Sequence, residues 1–192
     1  LDFGAQAADY HRARNAGRSQ SDFRCPSDMS TSAPRLPSEQ IPDHELVRCV
    51  GRGSYGQVWL ARSVLGSYRA VKIVNRKNFP ADRPYEREFN GIVKFEPVSR
   101  THPGFVSILH VGRNNAAGYF FSVMEVADDD STGQEIDPVS YSPKTLGSML
   151  SKRGKLPAEE CVRIALSLTN ALACLHKQGL VHRDIKPSNI IF

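Results

Sequence analysis

The sequence predicts an α+β fold, in which a five-stranded antiparallel sheet with one inserted helix comes before a mostly helical part. Two observations predict it. From residue 44 to residue 127, short apolar runs rich in β-branched and aromatic residues alternate with glycine-containing or polar turns, as strands do. Within residues 82–95 and again within 157–179, apolar side chains recur at the spacing of a helix face.

Composition and charge narrow the class of protein. Of the 192 residues, 40% are hydrophobic and 23% are charged, which is typical of a globular domain with a packed core. The net charge of +5 comes from Lys and Arg scattered along the chain, so nucleic acid is not expected as a partner. No run reaches the ~18 apolar residues of a membrane span. We therefore expect a cytoplasmic protein with no membrane segment in this stretch.

The four cysteines indicate the redox environment. Cys25, Cys49, Cys161 and Cys174 show no C-x-x-C pairing, and no histidines cluster with them at metal-ligand spacing. We expect buried or free thiols in a reducing compartment.

The N-terminal stretch differs in amino-acid composition from the rest of the chain. Residues 1–43 are rich in Ser, Ala, Arg, Asp and Pro, and their apolar side chains are isolated from one another. Such a segment buries too little apolar surface to offset the entropy of ordering it, so we predict a disordered leader or linker. It contains the tripeptide Asp2-Phe3-Gly4, which we attribute to chance.

The segments after residue 43 predict a regular order of elements. Three strands come first, in ELVRCVGRG, QVWLARSV and YRAVKIVNR, and a helix follows over residues 82–95, interrupted by Gly91 and ended by Pro97. Two more strands lie in FVSILHVG and YFFSVMEVA. Residues 128–144 predict an exposed acidic connection, and TLGSMLSKRG predicts a short helix.

The last predicted helix has the strongest signals in the chain. In PAEECVRIALSLTNALACLHKQG, Pro157 stands at a first helical position, acidic residues follow at 159 and 160, and Gly179 marks the end. The apolar residues at helical spacing predict a largely buried helix.

A glycine-rich motif follows the first predicted strand. The segment Gly51-Arg52-Gly53-Ser54-Tyr55-Gly56-Gln57-Val58 matches G-x-G-x-x-G, a pattern that turns, dinucleotide folds and other phosphate-binding loops share. In a dinucleotide fold the third glycine opens a helix, whereas here QVWLA continues as a strand. The motif therefore predicts a hairpin whose glycine tip lies over phosphates.

Two charged residues after this hairpin are candidates for contacts with a ligand. Lys72 interrupts the apolar run AVKIV, and an inward lysine there needs an anionic partner. On the following helix, Glu88 is a candidate for that partner, because Phe89 and Ile92 beside it turn this face toward the sheet. Glu86 competes for the role, and spacing alone leaves both open.

The octapeptide His182-Arg183-Asp184-Ile185-Lys186-Pro187-Ser188-Asn189 follows the last helix directly. An Asp, a Lys two residues later and an Asn five residues later can converge on a substrate hydroxyl, its phosphate donor and a metal ion. Any one of these residues is common in a polar loop, but the whole octapeptide points to phosphoryl transfer.

Taken in order, these motifs closely resemble those of eukaryotic-type serine/threonine protein kinases. The resemblance covers residues 44–192: glycine loop, A-V-K strand, a helix similar to αC, hinge, a helix similar to αE, and an H-R-D loop. It implies a kinase-like fold, with an ATP-binding N-lobe and hinge at residues 44–127 and the start of a C-lobe at residues 128–192. The sequence as a whole resembles bacterial members of the family.

The resemblance also implies roles for individual residues in binding ATP. The loop from Gly51 to Gly56 would cover the phosphates, with Lys72 on the α- and β-phosphates and Glu88 orienting that lysine. The adenine ring would meet side chains on three strands, a gatekeeper and the hinge backbone: Val50, Val58, Ala70, Met124, and Glu125 to Ala127.

In the H-R-D loop, Asp184 resembles the residue that accepts the proton of the substrate hydroxyl. Lys186 would neutralise charge on the γ-phosphoryl group, and Asn189 would bind Mg²⁺. Lysine two residues after the aspartate resembles the Ser/Thr type of kinase. The implied partners are ATP, Mg²⁺ and a protein substrate with a Ser or Thr acceptor.

The chain also departs from the family pattern. The family continues after the position of Phe192 with D-F-G, an activation loop and further helices, so we expect a piece of a longer product that is inactive alone. The links EPVSRTHPG and DDDSTGQEIDPVSYSP are longer than usual and predict solvated loops.

One other function remains as an alternative. A pseudokinase that binds a nucleotide or partner without transfer fits the fold, although Lys72, Asp184 and Asn189 argue against it. A P-loop NTPase lacks support, because no G-x-x-x-x-G-K-[ST] occurs.

Overall fold

The computed structural model describes residues 39–53 and 55–192 of the chain. Ser54 of the glycine motif, Cys25, the tripeptide Asp2-Phe3-Gly4 and nearly all of the predicted leader lie outside the described residues.

A five-stranded antiparallel sheet forms the first half of the described chain, as predicted. The strand order across the sheet is β1-β2-β3-β5-β4. The fourth strand begins later than FVSILHVG predicts, and the fifth ends before the EVA of YFFSVMEVA. The five strands are β1 (His44–Arg52), β2 (Gly56–Ser63), β3 (Tyr68–Asn75), β4 (Ile108–Asn114) and β5 (Tyr119–Met124).

Alternation along the strands builds one apolar cluster on the first face of the sheet. Val71 and Ile73 on β3 point to this face, and Ile41 packs there too, 5% exposed. Ordered packing thus begins a few residues before the predicted start at His44. The other buried members of the cluster are Leu46, Trp59, Ala61, Tyr119, Phe121 and Val123.

The second face of the sheet carries helix α1 (Asp82–Phe95). Tyr85 is fully buried against Val74 and Phe120, with Phe89 and Ile92 packed at its side. This burial at helical spacing fixes the helix on the sheet.

The predicted interruption at Gly91 is wrong, because α1 runs through this residue to Phe95. A helical glycine costs about 1 kcal/mol relative to alanine, and packing of the aromatic face outweighs so small a penalty. The helix ends two residues before Pro97, as expected from the steric restriction ahead of proline.

Two helices follow the sheet. In α2 (Leu146–Arg153), the Thr145 and Ser148 side chains form a reciprocal capping box, and Gly154 closes the helix at a φ of 72°. In α3 (Ala158–Lys177), Pro157 is the N-cap and not the first helical residue. No helix in the described part of the chain is both long enough and apolar enough to cross a membrane.

The prediction that α3 is largely buried is wrong for the described chain. On one stripe Ala171 and Leu175 are buried, and Ala171 lies against Gly104 in the segment that joins α1 to β4. A second stripe is open, since Val162 is 56% exposed and Leu166 is 59% exposed. Helical periodicity shows that a helix has apolar faces but cannot show which of them another segment covers.

Both long links were predicted to be solvated loops, and both are partly buried. In the first, Ser99 is fully buried, and its hydroxyl accepts the Ile108 N–H at 3.0 Å. In the second, Asp129 and Tyr141 are buried. Hydrogen bonds between polar side chains and backbone groups, some of them 9 to 14 residues apart in sequence, hold these links in place.

Candidate active site

The glycine hairpin is closed by backbone contacts. β1 and β2 pair up to Arg52 and Gln57, and across the tip the Gly53 N–H donates to the Gly56 carbonyl at 2.9 Å. A Cβ on Gly56 would collide with the Ile73 carbonyl oxygen of β3. The neighbouring strand therefore requires glycine at position 56, independently of any ligand.

The hairpin tip rests on the segment between β3 and α1. The Tyr55 ring stacks on Phe79 with centroids 4.7 Å apart, and Asn78 Nδ2 donates to the Tyr55 carbonyl at 3.2 Å. Sequence reasoning missed Asn78 and Phe79, although an aromatic residue directly after the third predicted strand was a signal available for Phe79.

Lys72 lies in the middle of β3, paired with Val58 on one side and Ser122 on the other. Strand alternation places it with Ala70 and Val74 on the face that also carries α1, opposite to the cluster around Val71. The Lys72 side chain is half-buried. Its ammonium group makes no hydrogen bond or ion pair with any other described residue.

Glu88 of α1 is the electrostatic neighbour of this lysine. Burial raises the pKa of Glu88, and the Lys72 charge partly opposes that rise. The two groups do not form a direct ion pair within 4.0 Å in the described structure. Glu86, the competing carboxylate, is instead engaged with Arg113 of β4, whose Nη1 donates to it at 2.8 Å.

The segment after β5 offers unused backbone groups. Met124 pairs with Ala70 and Ile108, and the Glu125 carboxylate accepts the Ser107 N–H at 2.8 Å. The carbonyl of Glu125 and the N–H of the buried Ala127 bond to no other described residue. Unpaired backbone groups at a buried position suit a flat heterocycle with hydrogen-bonding edges.

The remaining residues expected near adenine lie on the first two strands. Val50 occupies a bulge in β1 between Cys49 and Gly51, and Val58 contacts the Cβ position of Gly51 at 3.6 Å. Arg52, at the end of β1, is exposed.

The residues that follow this segment fold back on it. The Asp129 carboxylate accepts N–H groups from Ser131, Thr132 and Ser142 at 2.7–3.0 Å. These bonds lower the pKa of Asp129 to about 2. The Tyr141 hydroxyl donates to the Ala127 carbonyl at 3.1 Å. We call residues 128–144 the hinge loop. In this loop Asp129 is followed two and three residues later by Ser131 and Thr132, a turn signal that sequence reasoning did not use.

The H-R-D loop brings its three expected residues together. Asp184 Oδ2 accepts Lys186 Nζ at 3.0 Å and Asn189 Nδ2 at 2.8 Å, and the same Nδ2 donates to the Asp184 carbonyl at 2.9 Å. Burial raises the pKa of Asp184, but the Lys186 and Asn189 bonds outweigh it and leave a lowered pKa. Because Asn189 uses its amide nitrogen here, its Oδ1 is left to face a cation.

Backbone bonds tie this loop to the hinge loop and to α2. Leu146 N donates to the Ile190 carbonyl at 2.9 Å. The Phe192 carbonyl accepts the Asp128 N–H at 2.7 Å, and the Phe192 N–H donates to the Lys144 carbonyl at 3.1 Å. In the described residues, none of the three H-R-D loop residues named above bonds to Lys72 or Glu88. No cluster of three or more His, Cys, Asp or Glu that could hold a metal occurs within residues 39–53 and 55–192.

Known proteins match most of this chain. The sequence profile of the protein kinase domain matches residues 44–192. A probable serine/threonine-protein kinase of Clostridium perfringens is 32% identical over 152 residues, which cover 77% of this chain and 19% of that protein. The carbon catabolite-derepressing protein kinase of Candida tropicalis is 28% identical, with 81% of this chain and 22% of that protein covered.

A further relative is the serine/threonine-protein kinase PknA of Mycobacterium tuberculosis, 28% identical over 83% of this chain and 34% of its own length. The chain thus spans about a fifth to a third of the length of these relatives. The matched range holds the glycine hairpin, the β3 lysine, the α1 glutamate and the H-R-D loop. The chain therefore belongs to the protein kinase domain family, among relatives that include bacterial and eukaryotic serine/threonine kinases.

Proposed function

We propose that the protein transfers the γ-phosphoryl group of ATP to Ser or Thr hydroxyls of protein substrates. The observation that carries this proposal is the direct contact of Asp184 with both Lys186 and Asn189. A binding module has no need for a carboxylate held ionised between an ammonium group and an amide. Phosphoryl transfer needs that arrangement.

The lowered pKa of Asp184 suits the first part of the reaction. Its carboxylate stays ionised at neutral pH and can accept a hydrogen bond from the substrate hydroxyl, which turns the hydroxyl oxygen toward phosphorus. As the new O–P bond forms, the bond from the γ-phosphorus to the β,γ-bridging oxygen breaks. The hydroxyl proton passes to Asp184, ADP leaves, and Lys186 balances charge on the transferred group.

The residues on the N-terminal side fit ATP. The Lys72 ammonium group, which bonds to no other described residue, suits an anionic phosphate. The Glu125 carbonyl and the Ala127 N–H, also unpaired among the described residues, suit the adenine edge. Val50, Val58, Ala70 and Met124 supply apolar contact for the ring, and the loop from Gly51 to Gly56 supplies close backbone approach to the phosphates.

Asn189 Oδ1 is the group in the described loop that would hold Mg²⁺. When bound, the ion would offset the negative charge of the phosphates. ATP oxygens and water molecules would supply the other ligands, since Mg²⁺ takes six and keeps several waters. Because the chain spans only a fifth to a third of the length of its relatives, we also propose that residues 1–192 alone are inactive and that transfer belongs to a longer protein.

We propose a cytoplasmic location as well. Cys49, Cys161 and Cys174 are all free thiols in the structure, as in proteins from a reducing compartment. Fractionation of cells, with fluorescence from a fused reporter as a check, tests this; recovery from an oxidising compartment would refute it.

The test of function uses the full-length protein with ATP, Mg²⁺ and a generic Ser/Thr protein substrate. Lys72→Met and Asp184→Asn are each expected to lower transfer by about 100-fold or more. Lys77→Met, on the exposed turn after β3, is the matched control and should leave transfer unchanged. The alternative of a pseudokinase predicts ATP binding without transfer in the unsubstituted protein, and that result would overturn the proposal.

A further inference from the structure

We propose that Arg113 is a positioning residue for binding of the ATP phosphates, because it fixes the rotation of α1 that turns Glu88 toward Lys72. This inference rests on the proposed function, in which Lys72 binds ATP phosphates. It adds a residue of β4 that none of the expected kinase motifs includes.

Arg113 sits near the end of β4, opposite Phe120 of β5. Both terminal nitrogens of its guanidinium donate hydrogen bonds to the Glu86 carboxylate, and Nη1 lies 2.8 Å from Oε2. Its Cζ lies 4.8 Å from the centre of the Phe89 ring and 5.3 Å from that of Tyr85.

The geometry of this two-point contact is specific to arginine. A planar fork binds both carboxylate oxygens and lies against aromatic faces at the same time, which a lysine ammonium cannot do. Arg113 keeps this position although its buried Nε has no hydrogen-bond partner among the described residues. The side chain is 23% exposed and Glu86 is 40% exposed, so the pair is partly shielded from water and salt.

Helix geometry separates the two glutamates of α1. At 3.6 residues per turn, side chains two positions apart on a helix point about 200° away from each other. Glu86 and Glu88 are two apart, so they leave α1 on opposite flanks, while Tyr85 and Phe89 face the sheet between them. Arg113 on the β4 side and Lys72 on β3 therefore attract opposite flanks of one helix.

Tyr85 and Phe89 each meet Phe120 at 5.3 Å, which holds α1 on the sheet. Ring contacts define the rotation of a helix about its axis less sharply than a two-point ion pair does. The bond from Arg113 to Glu86 on one flank therefore restricts this rotation further. Since Glu88 and Lys72 are electrostatic neighbours without a direct ion pair, a small rotation decides whether they meet when phosphates arrive.

The test measures binding of ATP and of adenosine by calorimetry, using the full-length protein. Arg113→Ala and Glu86→Gln are expected to weaken ATP binding about 5-fold or more while leaving adenosine binding unchanged, because adenosine lacks the phosphates that Lys72 contacts. Arg113→Lys keeps the charge without the fork and should recover part of the affinity. Arg100→Ala, which breaks the exposed ion pair with Glu96, is the matched control and should change neither ligand.

A double-mutant cycle with Glu88→Gln separates positioning from general support. If Arg113 acts through Glu88, Arg113→Ala has no further effect on ATP affinity once Glu88 is Gln. Additive losses, or equal weakening of ATP and adenosine, would overturn the inference. ATP binding without transfer in the unsubstituted protein would overturn only the proposed function, whereas failure to bind ATP at all would overturn both.

Discussion

Gly56 is a residue of the candidate phosphate-binding loop that the fold itself requires to be glycine. The sequence motif suggests that its glycines make room for a ligand, yet the nearest obstacle to a side chain at position 56 is the carbonyl oxygen of Ile73, with which an added Cβ would collide. Gly53, in the same motif, has only the Gly56 carbonyl nearby, at 3.9 Å. The two glycines therefore differ in what limits them, and substitution separates the two causes.

Gly56→Ala is expected to lower the free energy of unfolding by about 1–3 kcal/mol, because β2 must move away from β3 to admit a methyl group. Urea denaturation followed by circular dichroism measures the loss. Gly53→Ala is the matched control and should change stability by less than about 0.5 kcal/mol. Equal stability of the two variants would show that β2 shifts freely, contrary to the contact.

Asp129 predicts a dependence of stability on pH. Its pKa of about 2 in the folded protein lies below the ordinary value of 3.8, because three backbone N–H groups stabilise the carboxylate. A lowered folded pKa stabilises the protein fully above about pH 4, and this contribution disappears as the pH falls toward 2. Asp129→Asn, which mimics the protonated acid, should lower the urea midpoint at pH 7.

The same comparison at lower pH provides the check. Between pH 4 and pH 2 the midpoints of the unsubstituted protein and Asp129→Asn are expected to converge. A difference that stays constant over this range would mean that the substitution acts through shape and not through charge.

At the scale of elements, strands and helices could be predicted from the sequence because each follows from a local pattern. The alternation around Val71 and Ile73 predicts a strand of the sheet, and the helical spacing of residues such as Phe89 and Ile92 predicts α1. Tyr85 joins these two residues on the buried face of the helix. Local patterns also mislead, as at Gly91, where a weak helix breaker is outweighed by packing that the sequence does not display.

The hinge loop could not be predicted in this way. Its order comes from polar side chains that bond to backbone groups as many as 14 residues away, as Tyr141 does to Ala127. Composition marks such a segment as polar and therefore as exposed. Only the folded geometry shows that polar groups are buried in it with their partners.

Tyr141→Phe is expected to lower the free energy of unfolding by about 1 kcal/mol, because it removes the hydroxyl that serves the Ala127 carbonyl and keeps the ring. Val139→Ala, in the same loop but 81% exposed, is the control and should have almost no effect. Chemical denaturation measures both. A loss in the control as large as that in Tyr141→Phe would mean that the loop is sensitive to any change.

At the scale of the whole molecule, the candidate site depends on segments that can be identified from the sequence and on contacts that cannot be. The order of the motifs indicated Lys72, Asp184 and Asn189 because phosphoryl transfer restricts residue type and spacing. The two flanks of α1 illustrate the limit. Sequence left Glu86 and Glu88 open. The structure pairs Glu86 with Arg113, which lies 27 residues further along the chain, on β4.

The open stripe of α3 is also a property of the whole molecule. Val162 and Leu166 lie one turn apart, more than half exposed, on a helix whose other stripe is packed. An exposed apolar stripe on a folded domain favours association with any similar surface. We therefore expect residues 1–192, expressed alone, to self-associate with increasing concentration and to bind a hydrophobic dye.

Replacing both residues, Val162→Glu with Leu166→Glu, should abolish dye binding and keep the chain monomeric, since two charges interrupt the stripe without entering the packed face. Ser167→Glu adds a charge on the exposed surface outside the stripe and should leave association as it was. Sedimentation velocity over a range of concentrations distinguishes these outcomes. If the double variant associates as strongly as the unsubstituted chain, the contact lies elsewhere. If Ser167→Glu also prevents association, net charge and not the α3 stripe governs it.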